Sequence, residues 1–372
     1  MDFGLMFFFS ADQNVDRNKY KLLIEAAKFA DEHEFCCVWT PERHFHKFGG
    51  LFPNPSVTNA ALAMVTNRLQ LRAGSLVSPL HDIVRIAEEW AVVDNLSAGR
   101  AAISFGSGWN VNDFVFFPER YAQRHSIMYE QLDTLKRLWA GERIVRKTSG
   151  DKDVEVTIYP QPVQAELPVW ITSSGNVETF ASAGAAGANV LTHLIGQDLP
   201  TLELKIQRYR EARMQNGFDP EGGKVSLMLH TFVGTDVESV KAKVRTPFRE
   251  YLRSAISLEE QAAMSGGVIS GGHKIQPHEI PPDVMEDLLD ITFERYFRES
   301  ALMGTPDSCA NFVSTLAEIG VDEIACLIDF LDDYEAIMES LRYLDIVRAA
   351  QSAQFLNNAY ANSLSAFIDD IS

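Results

Sequence analysis

Runs of consecutive apolar residues alternate with stretches of 3/4-spaced apolar positions along most of this chain. The apolar runs cover 3–9, 35–40, 69–77, 101–106, 168–172, 189–193, 225–233 and 323–329. Each reads as a strand covered on both faces, because apolar residues follow one another rather than alternating with polar ones. Helical spacing covers 20–32, 56–66, 83–96, 119–140, 176–184, 199–216, 236–254 and 306–319. The first of these places Leu23, Ala26, Ala27 and Ala30 on one face. Pro41 stops the second strand, and Ser97-Ala98-Gly99 ends the third helix.

Strand–helix alternation selects a parallel sheet. Eight such repeats in one compositional zone predict an α/β fold, a single (β/α)8 TIM barrel with insertions, over an open doubly wound sheet. The barrel is expected over 1–345, with 346–372 as a C-terminal helix or tail. Two stretches break the rhythm. Residues 141–164 are polar and predict a small hairpin or an extra strand. Residues 265–282 hold two glycine pairs and then three prolines, which excludes regular structure. That segment lies between the seventh and eighth strands, on the catalytic face of a barrel, and is expected to form a mobile lid.

Charge narrows the partners. Thirty-three basic against 51 acidic residues give a net charge of -18. Nucleic acid and anionic membrane are therefore not expected as partners, although a local basic pocket for one phosphate remains open. No apolar stretch reaches the roughly 20 residues that span a bilayer. Asp2 near the N-terminus, without a basic segment, predicts no signal peptide. Cys36, Cys37, Cys309 and Cys326 form no CxxC spacing. They are expected to be reduced core residues of a cytoplasmic protein, with the adjacent pair on opposite strand faces.

Barrel chemistry sits at the C-terminal strand ends. Four of these ends are marked. They are Thr40-Pro41-Glu42-Arg43-His44-Phe45, Gly74-Ser75, Phe105-Gly106-Ser107-Gly108-Trp109-Asn110 and Thr172-Ser173-Ser174-Gly175-Asn176. The last opens a helix, where free N–H groups, hydroxyls and the positive dipole end suit a phosphate; an ordinary N-cap is the alternative. Gly106 and Gly108 suit either a flat group close to the backbone or a tight turn. No Walker A loop, GxGxxG, HExxH or GxSxG is present. His44 and His46 lack a recognisable third ligand, so no metal is expected.

These marked ends resemble those of bacterial luciferase-like flavin monooxygenases. More narrowly, the chain is similar to the monooxygenase domains of polyketide and nonribosomal-peptide assembly lines. The stretches that carry the resemblance are Pro41–Gly49, Arg85–Arg100, Phe105–Phe114, Phe116–Tyr121, Thr172–Asn176 and Gly304-Thr305-Pro306. The resemblance implies a barrel that binds reduced FMN, supplied by a separate flavin reductase, with O2 as co-substrate. It implies Glu42, Gly74, Ser75, Gly106, Ser107, Trp109, Asn110, Ser173, Ser174 and Gly175 as cofactor contacts, with the phosphate on Ser173–Gly175. It also implies a non-proline cis peptide at Gly74-Ser75. Arg43 stands where luciferases carry the first of two consecutive histidines, their catalytic base. Arginine stays protonated and cannot act as a base. Light emission is therefore not expected. Arg43, His44 and Asn110 remain the catalytic candidates, Arg43 to hold an oxyanion or a substrate carbonyl and His44 to move a proton.

The implied reaction is hydroxylation of, or oxygen insertion into, an acyl or aminoacyl substrate tethered to a carrier protein in secondary metabolism. A homodimer is expected. A deazaflavin-dependent hydride-transfer oxidoreductase and a non-catalytic flavin-binding partner module are the alternatives on the same fold.

Overall fold

In the computed structural model, β1 (Asp2–Met6) pairs in parallel with both β2 (Cys37–Thr40) and β11 (Glu323–Leu327). The ladder runs on through β3 (Gln70–Val77), β4 (Ala101–Gly106), β7 (Val169–Thr172), β8 (Asn189–His193) and β9 (Val225–Val233). Strand β9 also pairs with β11, which closes an eight-stranded parallel barrel. All eight expected strands are present, and a closed barrel leaves no sheet edge open. The structure describes residues 1–8, 18–173, 175–265 and 281–369. Ser174 and most of the expected lid, 266–280, lie outside the described residues.

Helices α1 (Lys21–Glu32), α2 (Pro55–Ala63), α3 (Ile83–Ser97), α4 (Arg124–Trp139), α5 (Val177–Ala185), α6 (Leu199–Gln215), α7 (Val237–Met264) and α9 (Pro306–Glu318) follow the expected order. Local chemistry sets their ends. Asn54 accepts from the Ser56 and Val57 N–H groups ahead of Pro55, a side-chain cap with proline in the first turn. Helix α3 stops where Ala98 turns left-handed, at φ 56°. Buried Asp94 then ties α3 to the next crossover, accepting from Val163 N–H at 2.7 Å and Gln164 N–H at 3.0 Å.

The polar excursion is an antiparallel hairpin, β5 (Ile144–Lys147) and β6 (Asp153–Val156). Two elements, and the start of the expected C-terminal helix, go beyond the sequence reading. Helix α8 (Pro282–Glu299) buries Leu289, Phe293 and Tyr296 at helical spacing. A short β10 (Leu302–Gly304) extends the pairing of β9. Helix α10 (Tyr334–Asp369) runs unbroken through residue 345. It buries Ile337, Leu341, Leu344 and Val347, and its Ser340 Oγ accepts from Val233 N–H at 2.7 Å. No helix among the described residues is long and apolar enough to cross a membrane.

Met6, Cys37, Trp39, Ala102, Trp170, Leu191, Ala325 and Leu327 pack inside the barrel. Its floor is charged. Arg72 Nη1 donates to Glu323 Oε1 at 2.7 Å, and the guanidinium lies between the rings of Trp39 and Trp170, at 4.6 and 4.2 Å. Cys36 and Cys37 do not face opposite ways. Their Sγ atoms are 3.4 Å apart, and both approach Glu323. Cys36 precedes the first residue of β2, so strand alternation does not govern it. Both thiols are free.

Candidate active site

The loop after β2 turns back into the barrel mouth. Glu42 is buried there and accepts three hydrogen bonds. His44 Nε2 (2.8 Å) and His81 Nε2 (2.5 Å) donate to Oε1, and Val77 N–H (2.7 Å) donates to Oε2. Burial pushes its carboxyl up, but the donors from His44, His81 and Val77 outweigh this and hold it below the ordinary value. A carboxylate only accepts, so both imidazoles present Nε2–H to it. Burial lowers the His81 pKa, and the bond to Glu42 more than offsets this, leaving it raised.

Arg43 points the other way from the same loop. Its N–H donates to Phe52 O at 2.9 Å, which fixes the backbone. Its guanidinium lies 5.2 Å from the Phe8 ring and 5.3 Å from the Trp109 ring. Its carboxylate neighbour, Asp113 Oδ2, stands off at 4.0 Å, and the buried Nε has no hydrogen-bond partner among the described residues. Burial lowers the Arg43 pKa, countered in part by Asp113. Asp113 follows the end of β4 in a 3₁₀ turn, Val111–Phe116. Burial pushes its carboxyl up to about 6, against the pull of Arg43 and His44. Asn110 Nδ2 donates to Asp113 Oδ1 at 3.0 Å, and Asn110 Oδ1 accepts from Asn112 N–H at 3.1 Å.

Aromatic rings continue this wall. Phe48 lies 4.9 Å from Phe8 and 4.8 Å from Tyr251 of α7, and Tyr251 lies 4.4 Å from His230. His230 is buried, and its Nε2 has no partner among the described residues. Burial, with His193 nearby, pushes its pKa down to about 3, so it is a neutral side chain of this wall.

Across the mouth, Gly74-Ser75 is a cis peptide, as the resemblance implies. Thr172 Oγ1 bonds Ser75 Oγ at 2.7 Å and Ser104 Oγ at 2.6 Å, tying together the ends of β3, β4 and β7. The glycines are explained by the protein's own packing. A Cβ on Gly74 would meet Trp39 at 2.9 Å, and one on Gly108 (φ 81°) would meet Val77 at 2.7 Å. Gly106 abuts Ser75, where a Cβ would sit 3.3 Å from the serine Cβ.

The start of α5 differs. Ser173 N–H belongs to the barrel ladder, donating to Leu191 O at 2.9 Å, so it is not a free phosphate donor as expected. Ser173 Oγ accepts from Gly175 N–H at 3.5 Å, and Asn176 caps the helix through Glu178 N–H at 2.9 Å. Among the described residues beyond its chain neighbours, a Cβ on Gly175 (φ 128°) would meet Lys205 Nζ, at 3.4 Å. That left-handed glycine beside an ammonium group fits a flavin phosphate.

The structure therefore gathers Glu42, Arg43, His44, Trp109 and Asn110 at one side of the mouth. It places Gly74, Ser75, Gly106 and Ser107 on the ends of β3 and β4, and Ser173 and Gly175 after β7. Sequence reasoning missed His81, Asp113, Lys205 and Tyr251, and had Thr172 only as the start of a marked strand end. Asp113 had a usable signal, the lone acid of a Val111–Phe117 stretch in which only Asn112 is otherwise polar. The other three sit in segments whose spacing announces only packing.

The profile of the family described as luciferase-like monooxygenase matches residues 1–323. The oxygenase component of a flavin-dependent trigonelline monooxygenase from Acinetobacter baylyi is 24% identical over 367 residues, covering 94% of this chain and 95% of that protein. The monooxygenase RslO1 from Streptomyces bottropensis superposes with a TM-score of 0.78 at 21% identity, covering 95% of this chain and 100% of the other. The oxygenating constituent of 3,6-diketocamphane monooxygenase from Pseudomonas putida, solved with FMN, gives 0.70 at 17% identity, covering 94% and 96%. These two likenesses show the fold.

Proposed function

Because this chain belongs to the luciferase-like monooxygenase family, and is therefore a flavin-dependent monooxygenase, we propose that it is the FMN-using oxygenase of a two-component system. A separate reductase supplies reduced FMN, and O2 is the co-substrate. The name of the Acinetobacter relative, an oxygenase component, supports the reductase partner. Reduced FMN, when bound, supplies the electrons that activate oxygen. The protein contributes binding, orientation and exclusion of water.

The observation that carries this reading is Arg43. It is a buried guanidinium at a strand end, with an unpartnered Nε and its counter-charge 4.0 Å away. In this reading it holds an anionic or carbonyl oxygen of the reacting partner. His44, oriented through Nε2 by Glu42, moves a proton at its other ring nitrogen. Asn110 braces Asp113 behind Arg43. Ser75, Gly106, Ser107 and Trp109 border the ring site, and Ser173, Ser174 and Gly175 border the phosphate.

The substrate in this reading is an acyl or aminoacyl thioester on a carrier protein, hydroxylated or given an inserted oxygen, by a homodimeric enzyme. Its support is the similarity of Trp109-Asn110 and Phe116–Tyr121 to assembly-line monooxygenases.

Oxygenated product formed from reduced FMN and O2 tests the reaction class, since hydride-transfer and non-catalytic relatives would leave only the hydrogen peroxide that free reduced flavin gives. Product-to-hydrogen-peroxide ratios then test the residues. Arg43→Ala should lower product formation about 10²-fold or more while oxygen consumption continues as hydrogen peroxide release. His44→Ala should do likewise within about 10²–10⁴-fold. Well-folded variants of both with wild-type coupling would remove these residues from the mechanism.

A further inference from the structure

Lys205 lies in the second turn of α6, capped by Asp198, and is 7% exposed. Helical side chains lean toward the helix N-terminus, and α6 begins at the barrel mouth, so the ammonium is carried up to that rim. There Nζ donates to Gln197 Oε1 at 2.7 Å. The Gln197 amide is itself fixed, because its Nε2 donates to His193 O and to Thr192 Oγ1. Its oxygen is thereby held toward the lysine.

This lone neutral acceptor leaves the charge unmatched. Among the described residues no carboxylate forms an ion pair with Lys205; Asp198 acts on it only at longer range, against the larger effect of burial. A cation so buried normally has a counter-charge. Its Nζ faces Gly175, where a Cβ would lie 3.4 Å from it at the start of α5. A helix N-terminus and a buried cation from a different helix converge there, and both favour an anion.

We propose that Lys205 is the counter-ion of the terminal phosphate of the bound flavin and makes this protein discriminate FMN from riboflavin, which lacks that phosphate. The assignment rests on the flavin reading above. Ser173 and Gly175 shape the seat, and Lys205 brings a positive side chain to it. Gln197 is a positioning residue, since it acts on the phosphate through the lysine.

The test is binding, independent of turnover. FMN and riboflavin are titrated separately into wild type, Lys205→Gln and Lys205→Arg. Wild type should hold FMN at least about ten-fold more tightly than riboflavin, as one charge-assisted contact gives. Lys205→Gln should lose that difference by weakening FMN alone, with riboflavin affinity unchanged as the internal control of folding. Lys205→Arg should restore part of it, and raised salt should weaken FMN binding to wild type more than to Lys205→Gln. An unaltered FMN-to-riboflavin ratio in Lys205→Gln overturns the role of Lys205. An equal loss of both ligands overturns it too. Wild-type protein that binds neither flavin instead overturns the flavin reading on which it stands.

Discussion

Replacing Glu42 with glutamine keeps the shape of the mouth and deletes its central charge. The carboxylate takes three hydrogen bonds, at 2.8, 2.5 and 2.7 Å. An amide matches this set only where both imidazoles can give up their Nε2–H. With its oxygen toward the two imidazoles, its NH2 confronts the Val77 N–H; with its oxygen toward Val77, its NH2 confronts two imidazole donors unless both rings carry their proton on Nδ1, which a protonated His81 cannot do. Each bond to a charged group contributes about 1.5–3 kcal/mol, and a buried donor left unmet costs about 1–3 kcal/mol. Relief of the carboxylate's burial offsets part of that sum. The expected net loss is therefore about 3–5 kcal/mol, the scale for breaking a buried charged pair.

The pH dependence gives that number a signature. Glu42 has a depressed folded pKa, so its contribution is present above the ordinary carboxylate range, about 4.3, and fades as pH falls through the lower folded value. His81 has a raised folded pKa, so its contribution is full below its ordinary value of about 6.5 and fades as pH rises through the raised one. The gap between wild type and Glu42→Gln should be widest at roughly pH 5–6.5 and narrow on both sides. Urea unfolding across pH 3–9 measures it, and NMR titration of His81 should show its pKa falling in the variant. A gap below about 1 kcal/mol at every pH, with His81 titrating as in wild type, would refute the reasoning.

Two further outcomes follow from other buried charges. Asp113 has a folded carboxyl at about 6, above its ordinary value of 3.8, so its contribution is full below pH 4 and lost as pH rises toward 6. Asp113→Asn should abolish that decline in urea-measured stability, and an unchanged pH slope counts against it. Arg72→Ala strands buried Glu323 and should cost about 3–5 kcal/mol, with FMN affinity per folded molecule unchanged. A stable variant, or one that folds but loses flavin, would contradict the separation of barrel floor from barrel mouth.

The barrel was legible because its eight strands are apolar on both faces, a pattern that helices cannot hide. Helix α8 was not, because Pro281-Pro282 closes a glycine- and proline-rich stretch that masks the helical spacing of Leu289, Phe293 and Tyr296 just beyond it. Strand β10 has only three residues, too few to show a period. In the site, Glu42, Arg43 and His44 were visible because they cluster in sequence after one strand. Their partners come from afar. His81 follows β3, Asp113 follows β4, and Tyr251 projects from α7. What joins them is closure of the barrel, which no local window contains. The cysteine pair failed for a narrower reason, since alternation was applied one residue before the strand began.

Two buried arginines in this barrel separate stability from function. Arg72 and Glu323 meet at 2.7 Å on the floor, and Arg72 Nε is also satisfied, by Gln70 Oε1 at 2.6 Å. Such a pair offsets its own desolvation and needs nothing from outside. Arg43 and Asp113 in the mouth stand 4.0 Å apart, with one carboxyl pushed to about 6 and one guanidinium nitrogen without an acceptor. Folding alone gains nothing from leaving that donor unmet, and closing the gap would stabilise the chain. Both arginines share one scaffold, so the difference lies in what each must leave open. The matched pair sits at the N-terminal strand ends, where barrels keep their stability; the unmatched one sits at the C-terminal ends, where they do chemistry. Lys205 repeats the pattern across the same mouth, buried beside Gly175 and without a carboxylate partner among the described residues. In the flavin reading, the loosely paired Arg43 meets the oxygen of the reaction centre and Lys205 meets the phosphate, so the two cations sit at the two electron-rich ends of one ligand.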